Sequence, residues 1–185
     1  MHSALVLPFL DTRFMQLLKF CRLFVLGALS LGLSVNVLFA QETKEPTKLQ
    51  IQIKVTANAN PDLVGRPAPI KVRVYELKDS QVFSEADFFV LDSSDKTQLG
   101  ADLLAKDEYV LQPGAVQVFE RKSNPQTTAI GIVAGYRDLK DTTWRAVYKL
   151  KETPVAAWYR ALIPLNKAEL DIQLHPQGLV LSDDK

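Results

Sequence analysis

From residue 49 onward, apolar side chains return at every second position, and no other feature of the chain restricts its fold as strongly. Leu49, Ile51, Ile53 and Val55 alternate with Gln50, Gln52 and Lys54. Ile70, Val72 and Val74 alternate with Lys71, Arg73 and Tyr75, and Ile130, Ile132, Ala134 and Tyr136 with Gly131, Val133 and Gly135. Successive side chains of an extended strand point to opposite faces, so each run predicts a strand with one buried face. Trp144, Ala146, Tyr148 and Leu150 predict another, Ala157–Ile163 and Leu170–Leu174 two more, and Leu179–Leu181 an edge. Seven to nine short strands separated by turn residues predict a mainly β, two-sheet sandwich. Tyr75, out of phase with Ile70, Val72 and Val74, is expected on an outer or edge face.

The interval between the second and third strands breaks this period. Ser84 with Asp87 three residues later has the form of a capping box, and Phe88, Phe89 and Leu91 supply an apolar patch for a short helix. Gln98–Lys106, with Leu99, Leu103 and Leu104, reads as another helical turn. Pro113-Gly114 separates Glu108–Leu111 from Val116–Arg121, which predicts a hairpin. Gly131 and Gly135, without side chains, are expected beneath a close-packed neighbour. Phe88 and Phe89 are expected in the core, and Trp144 and Trp158 in the core or at its rim.

The first forty residues belong to another class. Leu23–Ala40 is an uncharged, mostly apolar stretch of 18 residues preceded by Lys19 and Arg22 and followed by the polar run QETKEPTK. A basic start, an apolar middle and a small residue before a polar sequence form a secretory signal. Met15 begins a signal of ordinary length, and Ala40 is the expected cleavage position. Retention as an inner-membrane anchor stays open, since 18 residues approach the length of a bilayer span. Either outcome places the body outside the cytoplasm, in a bacterium in the periplasm or beyond, because Lys19 and Arg22 stay on the cytoplasmic side. A polar linker, 41–48, then leads into one domain over 49–182.

Charge and cysteine content exclude several functions. Without Arg13, Lys19, Arg22 and Asp11, the 22 basic and 21 acidic residues become 19 and 20. No block of like charge remains, which argues against nucleic acid or an anionic membrane as partner. Cys21 is the single cysteine and lies in the signal, so the exported domain relies on its core alone. His175 is the one histidine after residue 40, which leaves no set of zinc or copper ligands and no base for a serine nucleophile. Asp87, Asp92, Asp95, Asp102, Asp107 and Glu108 interleave with Ser, Lys and Gln, the pattern of a solvated face rather than a hydrolytic pair. Asp92-Ser93-Ser94-Asp95 lacks the glycine and the distant glutamate of a calcium loop. No enzyme, metal or cofactor is expected.

Recognition is the alternative to chemistry. Pro61, Pro67 and Pro69 stiffen the Asn58–Pro69 loop and remove backbone donors. Within it Leu63 and Val64 stand between the polar Asp62 and Arg66. Loops commonly fold such residues back against their own domain, and an exposed contact patch is the other reading.

Four segments in order, GRPAPIKVRVYEL, FSEADFFVLDSSD, LGADLLAKDEYVLQPG and GIVAGYRDLKDTTWRAVYKL, resemble the TssJ (VasD, SciN) family of type VI secretion. The resemblance spans residues 49–150. It implies a transthyretin-like β-sandwich with added helices, carried by an outer-membrane lipoprotein that faces the periplasm. It also implies a partner, the periplasmic C-terminal region of the inner-membrane component TssM, bound through the loop between the first two strands. By position in that loop, the implied contact residues are Asn60, Asp62, Leu63, Val64 and Arg66. The family pattern ends its signal in a lipobox cysteine, and here Gln41 occupies that position. An outer-membrane lipid anchor therefore lacks its attachment residue. Residues 23–40 as an inner-membrane anchor, or a separate outer-membrane or peptidoglycan tether, would take its place. An exported sandwich serving as a generic binding or inhibitor module, unrelated to secretion, remains the second reading.

Overall fold

The computed structural model describes residues 45–152 and 166–183. The expected signal, Gln41 and the predicted strand Ala157–Ile163 with Trp158 lie outside the described residues. Eight strands are described: β1 (Lys48–Val55), β2 (Ile70–Leu77), β3 (Leu103–Leu111), β4 (Val116–Lys122), β5 (Ala129–Gly135), β6 (Arg145–Lys149), β7 (Lys167–His175) and β8 (Gly178–Asp183). They form two four-stranded sheets, ordered β4-β1-β7-β8 and β3-β2-β5-β6. The protein is thus mainly β, as the alternation predicts. Helices α1 (Gln81–Glu85) and α2 (Phe88–Leu99) lie between β2 and β3, where the break in period two placed them.

The inward faces of the sheets meet in one core. Leu49, Ile51 and Ile53 of β1 and Leu170, Ile172 and Leu174 of β7 pack against Ile70, Val72 and Val74 of β2 and Ile130 and Ile132 of β5. These are the apolar positions of the period-two runs. Each fully buried Leu, Ile or Val contributes about 1.5–3 kcal/mol, which is how the domain stands without a disulfide.

The outer face of β2 departs from expectation. Tyr75 is fully buried, as are Leu77 and Phe83. With Phe88, Leu91, Leu99 and Val133 they form a second core between the β3-β2-β5-β6 sheet and the helices. The position outside the sheet–sheet core is correct for Tyr75, but a third layer covers it. Gly131 makes room for that layer, since a Cβ there would lie 2.7 Å from Cζ of Phe83. Phe89, by contrast, is mostly exposed while Phe88 is buried, so one of the two expected core phenylalanines lies on the surface.

Three local expectations need correction. Ser84 lies inside α1, and α2 is capped by Asp87 itself, whose Oδ1 accepts the Phe89 N–H at 2.8 Å. The helical signal in Gln98–Lys106 ends with a 3-10 turn at Gly100–Asp102, and Leu103 already begins β3. Pro113-Gly114 reverses the chain, but β3 and β4 do not form a hairpin. β3 pairs with β2 and β4 with β1, in opposite sheets. The turn is a corner from one sheet to the other, fastened to the end of β1 by Gly114 N–H to Val55 O (3.0 Å) and Val55 N–H to Ala115 O (2.9 Å).

Nor is the acidic middle of the chain simply solvated. Asp92 pairs with Lys71 and Arg73, Glu108 with Arg73, and Asp107 with Arg121. Asp95 is buried, accepting from Lys106 Nζ at 2.6 Å and Tyr75 Oη at 3.2 Å. Arg73 also donates to the carbonyls of Leu91 and Asp92, near the helix kink at Ser94. This network ties the helical layer to the sheet.

Candidate functional site

The loop between β1 and β2 has two parts, a neck and a tip. At the neck, Ala68 N–H donates to Ala59 O at 3.3 Å. Asn60, buried at 3% exposure, adopts φ 49 and donates from Nδ2 to Pro69 O at 2.7 Å. Asparagine tolerates this left-handed region better than most residues. The tip is organised by Asp62. Its Oδ1 accepts the N–H groups of Val64 and Arg66, both at 2.9 Å, and its Oδ2 accepts Arg66 Nε at 2.8 Å. Asp62 N–H reaches Arg66 O, and Gly65 N–H closes a turn onto Asp62 O, each at 2.9 Å. Gly65 has φ 81, a conformation that a β-branched or bulky residue would adopt only under strain.

The Arg66 N–H hydrogen bond, chiefly, holds the pKa of the Asp62 carboxyl below its ordinary value; burial opposes this, and the Arg66 guanidinium and Val64 N–H reinforce it. The result is a closed cage with Leu63 and Val64 outside. Leu63 is fully exposed and Val64 is 72% exposed. Of the two readings of these residues, the one in which they fold against their own domain does not match the structure.

Beside the loop runs a cleft of about 880 Å³, lined by loop residues, by Tyr136, Arg137 and Asp141 of the β5–β6 connection, and by Pro176 and Gln177 of the β7–β8 turn. Arg137 N–H donates to Asn60 Oδ1 at 2.9 Å. Leu179 N–H donates to Thr143 O at 2.8 Å, and Gly178, with φ 136, lies so close to Thr143 that a Cβ would meet its N at 2.5 Å. The three connections are thus linked in series.

The five expected contact residues divide accordingly. Leu63 and Val64 are presented to solvent, Arg66 is exposed but clipped to Asp62, Asp62 is the hub beneath them, and Asn60 lies buried at the neck. Arg137, Thr143 and Gly178 complete the site and were not anticipated. The Gln177-Gly178 pair marks a turn, but nothing local places that turn beside residue 143. Among the described residues, no group of three or more His, Cys, Asp or Glu side chains is placed to hold a metal ion. No described helix is long and apolar enough to cross a membrane.

Residues 47–177 match the family described as Type VI secretion lipoprotein, VasD, EvfM, TssJ. The chain belongs to this family. The crystal structure of the type VI secretion lipoprotein TssJ1 from Pseudomonas aeruginosa is 35% identical with a TM-score of 0.66, covering 76% of this chain and 98% of that one. Serratia marcescens Lip, a membrane-bound component of the same type of secretion system, is 29% identical with a TM-score of 0.66, covering 74% and 98%. A chain of a type VI membrane complex is 25% identical with a TM-score of 0.60, covering 75% and 99%. A comparison with the curated proteins found no match.

Proposed function

We infer that this member of the TssJ family is a non-enzymatic, periplasmic assembly subunit of a type VI secretion membrane complex. In this reading the β1–β2 loop binds the periplasmic C-terminal region of the TssM-like inner-membrane component. One observation carries the assignment to the loop. Leu63 and Val64 stand in water on a cage built by Asp62, so their exposure is a fixed property of the fold. Burying an exposed leucine against a partner stabilises the complex by about 1.5–3 kcal/mol, and a preorganised loop loses little entropy on binding. The similarity to a chain of a type VI membrane complex supports the same role. Family membership weighs against an exported module unrelated to secretion.

The test is calorimetric titration of the TssM-like periplasmic region into the wild type and the Leu63→Asp variant. Leu63 touches nothing that folding needs, so the variant retains its melting temperature. Binding is expected to weaken at least tenfold, and unchanged affinity would remove the loop from the interface. Residues 1–40 are proposed as the export signal and 41–48 as the linker, with the envelope as destination. Mass spectrometry of protein from the native envelope distinguishes a chain starting at unmodified Gln41 from one that retains residues 15–40 as an anchor.

A further inference from the structure

Asn60 has a geometry that a contact residue does not need. Its side chain is shielded from solvent, yet both of its polar ends are used, and they reach different parts of the chain. Nδ2 closes the neck of the β1–β2 loop onto Pro69 O. Oδ1 takes the N–H of Arg137, 77 residues later in sequence. Arg137 follows Tyr136, which is buried in the sheet–sheet core, so the position of its N–H is set by the core. Glycine would accept the left-handed backbone at residue 60 without strain but could make neither bond. The tip has its own closure through Asp62 and would keep its shape without Asn60. What Asn60 determines is the position of the formed tip relative to the β5–β6 connection across the cleft.

We propose that Asn60 is a positioning residue that locks the β1–β2 and β5–β6 connections into one preorganised docking unit, both walls of the cleft facing the bound partner. The proposal rests on the reading that the Leu63–Val64 tip contacts the TssM-like partner. With the lock removed, the tip samples orientations in which only part of the surface is aligned. The apparent affinity then falls in proportion to the fraction of molecules still aligned, although no contacting atom has been deleted.

The experiment uses protein purified from bacteria expressing the full chain and titrates the TssM-like periplasmic region by calorimetry. Asn60→Gly removes both hydrogen bonds and keeps the backbone conformation. It is expected to weaken binding about tenfold and to speed amide exchange at Arg137, with a melting temperature that falls, as the loss of two shielded hydrogen bonds requires, but stays well above the temperature of the titration. Asn60→Asp keeps the acceptor for Arg137 N–H but cannot donate to Pro69 at neutral pH, so it should preserve Arg137 protection and bind with intermediate affinity. This variant decides the matter if the glycine variant fails to fold. Because Asn60 changes the aligned fraction and Leu63 the contact itself, the loss from Asn60→Gly should be the same factor in a Leu63→Ala background. Faster amide exchange should be confined to the β1–β2 and β5–β6 connections, whereas a residue with only a general structural role would lower protection throughout the sandwich. Wild-type affinity for both Asn60 variants, with binding still lost in Leu63→Asp, would overturn the lock and leave the tip assignment standing. Wild-type affinity for all of them would overturn both.

Discussion

Replacing Gly131 by alanine tests whether the helical layer is packed to the density of a true core. Gly131 sits in the middle of β5, opposite Tyr75 on one side and Val147 on the other. An added Cβ would lie 2.7 Å from Cζ and 2.8 Å from Cε1 of Phe83, and 3.0 Å from Cδ1 of Leu77. Carbon atoms rest at about 3.5–4.0 Å, so the Phe83 ring must withdraw by about 1 Å. It has little freedom to do so. Phe83 is fully buried, its ring centroid is 5.3 Å from that of Tyr75, and α1 is held by Arg145, whose Nη1 donates to Phe83 O at 2.9 Å and Ala86 O at 2.7 Å. Overpacking of this kind costs about 1–3 kcal/mol. Loss of glycine entropy from the unfolded chain offsets about 0.4–1 kcal/mol. A net destabilisation of about 1–2 kcal/mol should lower the melting temperature by about 3–8 °C in thermal unfolding followed by circular dichroism. Gly135→Ala is the control on the same strand. Its Cβ would meet Lys71 O at 3.5 Å and Lys71 Cβ at 3.6 Å, ordinary contacts, so the melting temperature should hold or rise. Equal shifts in the two variants would refute tight packing of the helices on the sheet.

Two further outcomes follow from the charged groups. Glu76 is 1% exposed, with Arg121 Nε 2.9 Å from its Oε1 and with Asn124 N–H (2.7 Å) and Thr127 Oγ1 (2.8 Å) on Oε2. Arg121→Met leaves this buried carboxylate without its counter-charge and should destabilise the domain by about 3 kcal/mol, read as a lower urea midpoint; Glu76→Gln in the same background should recover part of it. The Asp62 cage should respond to acid. Its carboxyl titrates below the ordinary value of 3.8 in the folded loop, so the cage is at full strength above that value and is lost as pH falls through the lowered one. Chemical shifts of the Val64 and Arg66 amides, followed downward from pH 6, should change with a midpoint below 3.8; a midpoint at or above it would show that Asp62 does not hold the tip.

Much of the fold was legible because a strand with one covered face must alternate, and β1, β2, β5 and β7 do so. The same signal misled at Tyr75. Alternation reports which residues face the opposite sheet and is silent on whether anything covers the other side. Arg73 and Glu76 have the polar character of solvent-facing positions, and both are buried, because charges from Asp92, Glu108 and Arg121 were brought over them. Such pairings join residues up to 45 positions apart and leave no local trace. The Pro113-Gly114 turn failed for a related reason: turn residues specify that the chain reverses, while its partner strands are chosen by the sheet as a whole.

The site was half legible on the same grounds. Leu63 and Val64 in a proline-rich, polar loop could be singled out by composition, whereas the other wall of the cleft depends on a single topological fact. β1 and β7 run parallel, with Val55 beside Leu174. That pairing brings the β7–β8 turn to the end of the sandwich from which the β1–β2 loop emerges. β2 and β5 are antiparallel, with Lys71 opposite Gly135, which delivers the β5–β6 connection to the same end. Had β7 paired antiparallel to β1, Pro176 and Gln177 would lie at the opposite end, Thr143 would lose its bond to Leu179, and the β5–β6 wall would lose the support of that turn. Period two is identical for parallel and antiparallel strands, so no reading of apolar spacing could distinguish these arrangements. The proposed docking surface is therefore a property of strand order, and the loop that could be seen in the sequence is one of its three parts.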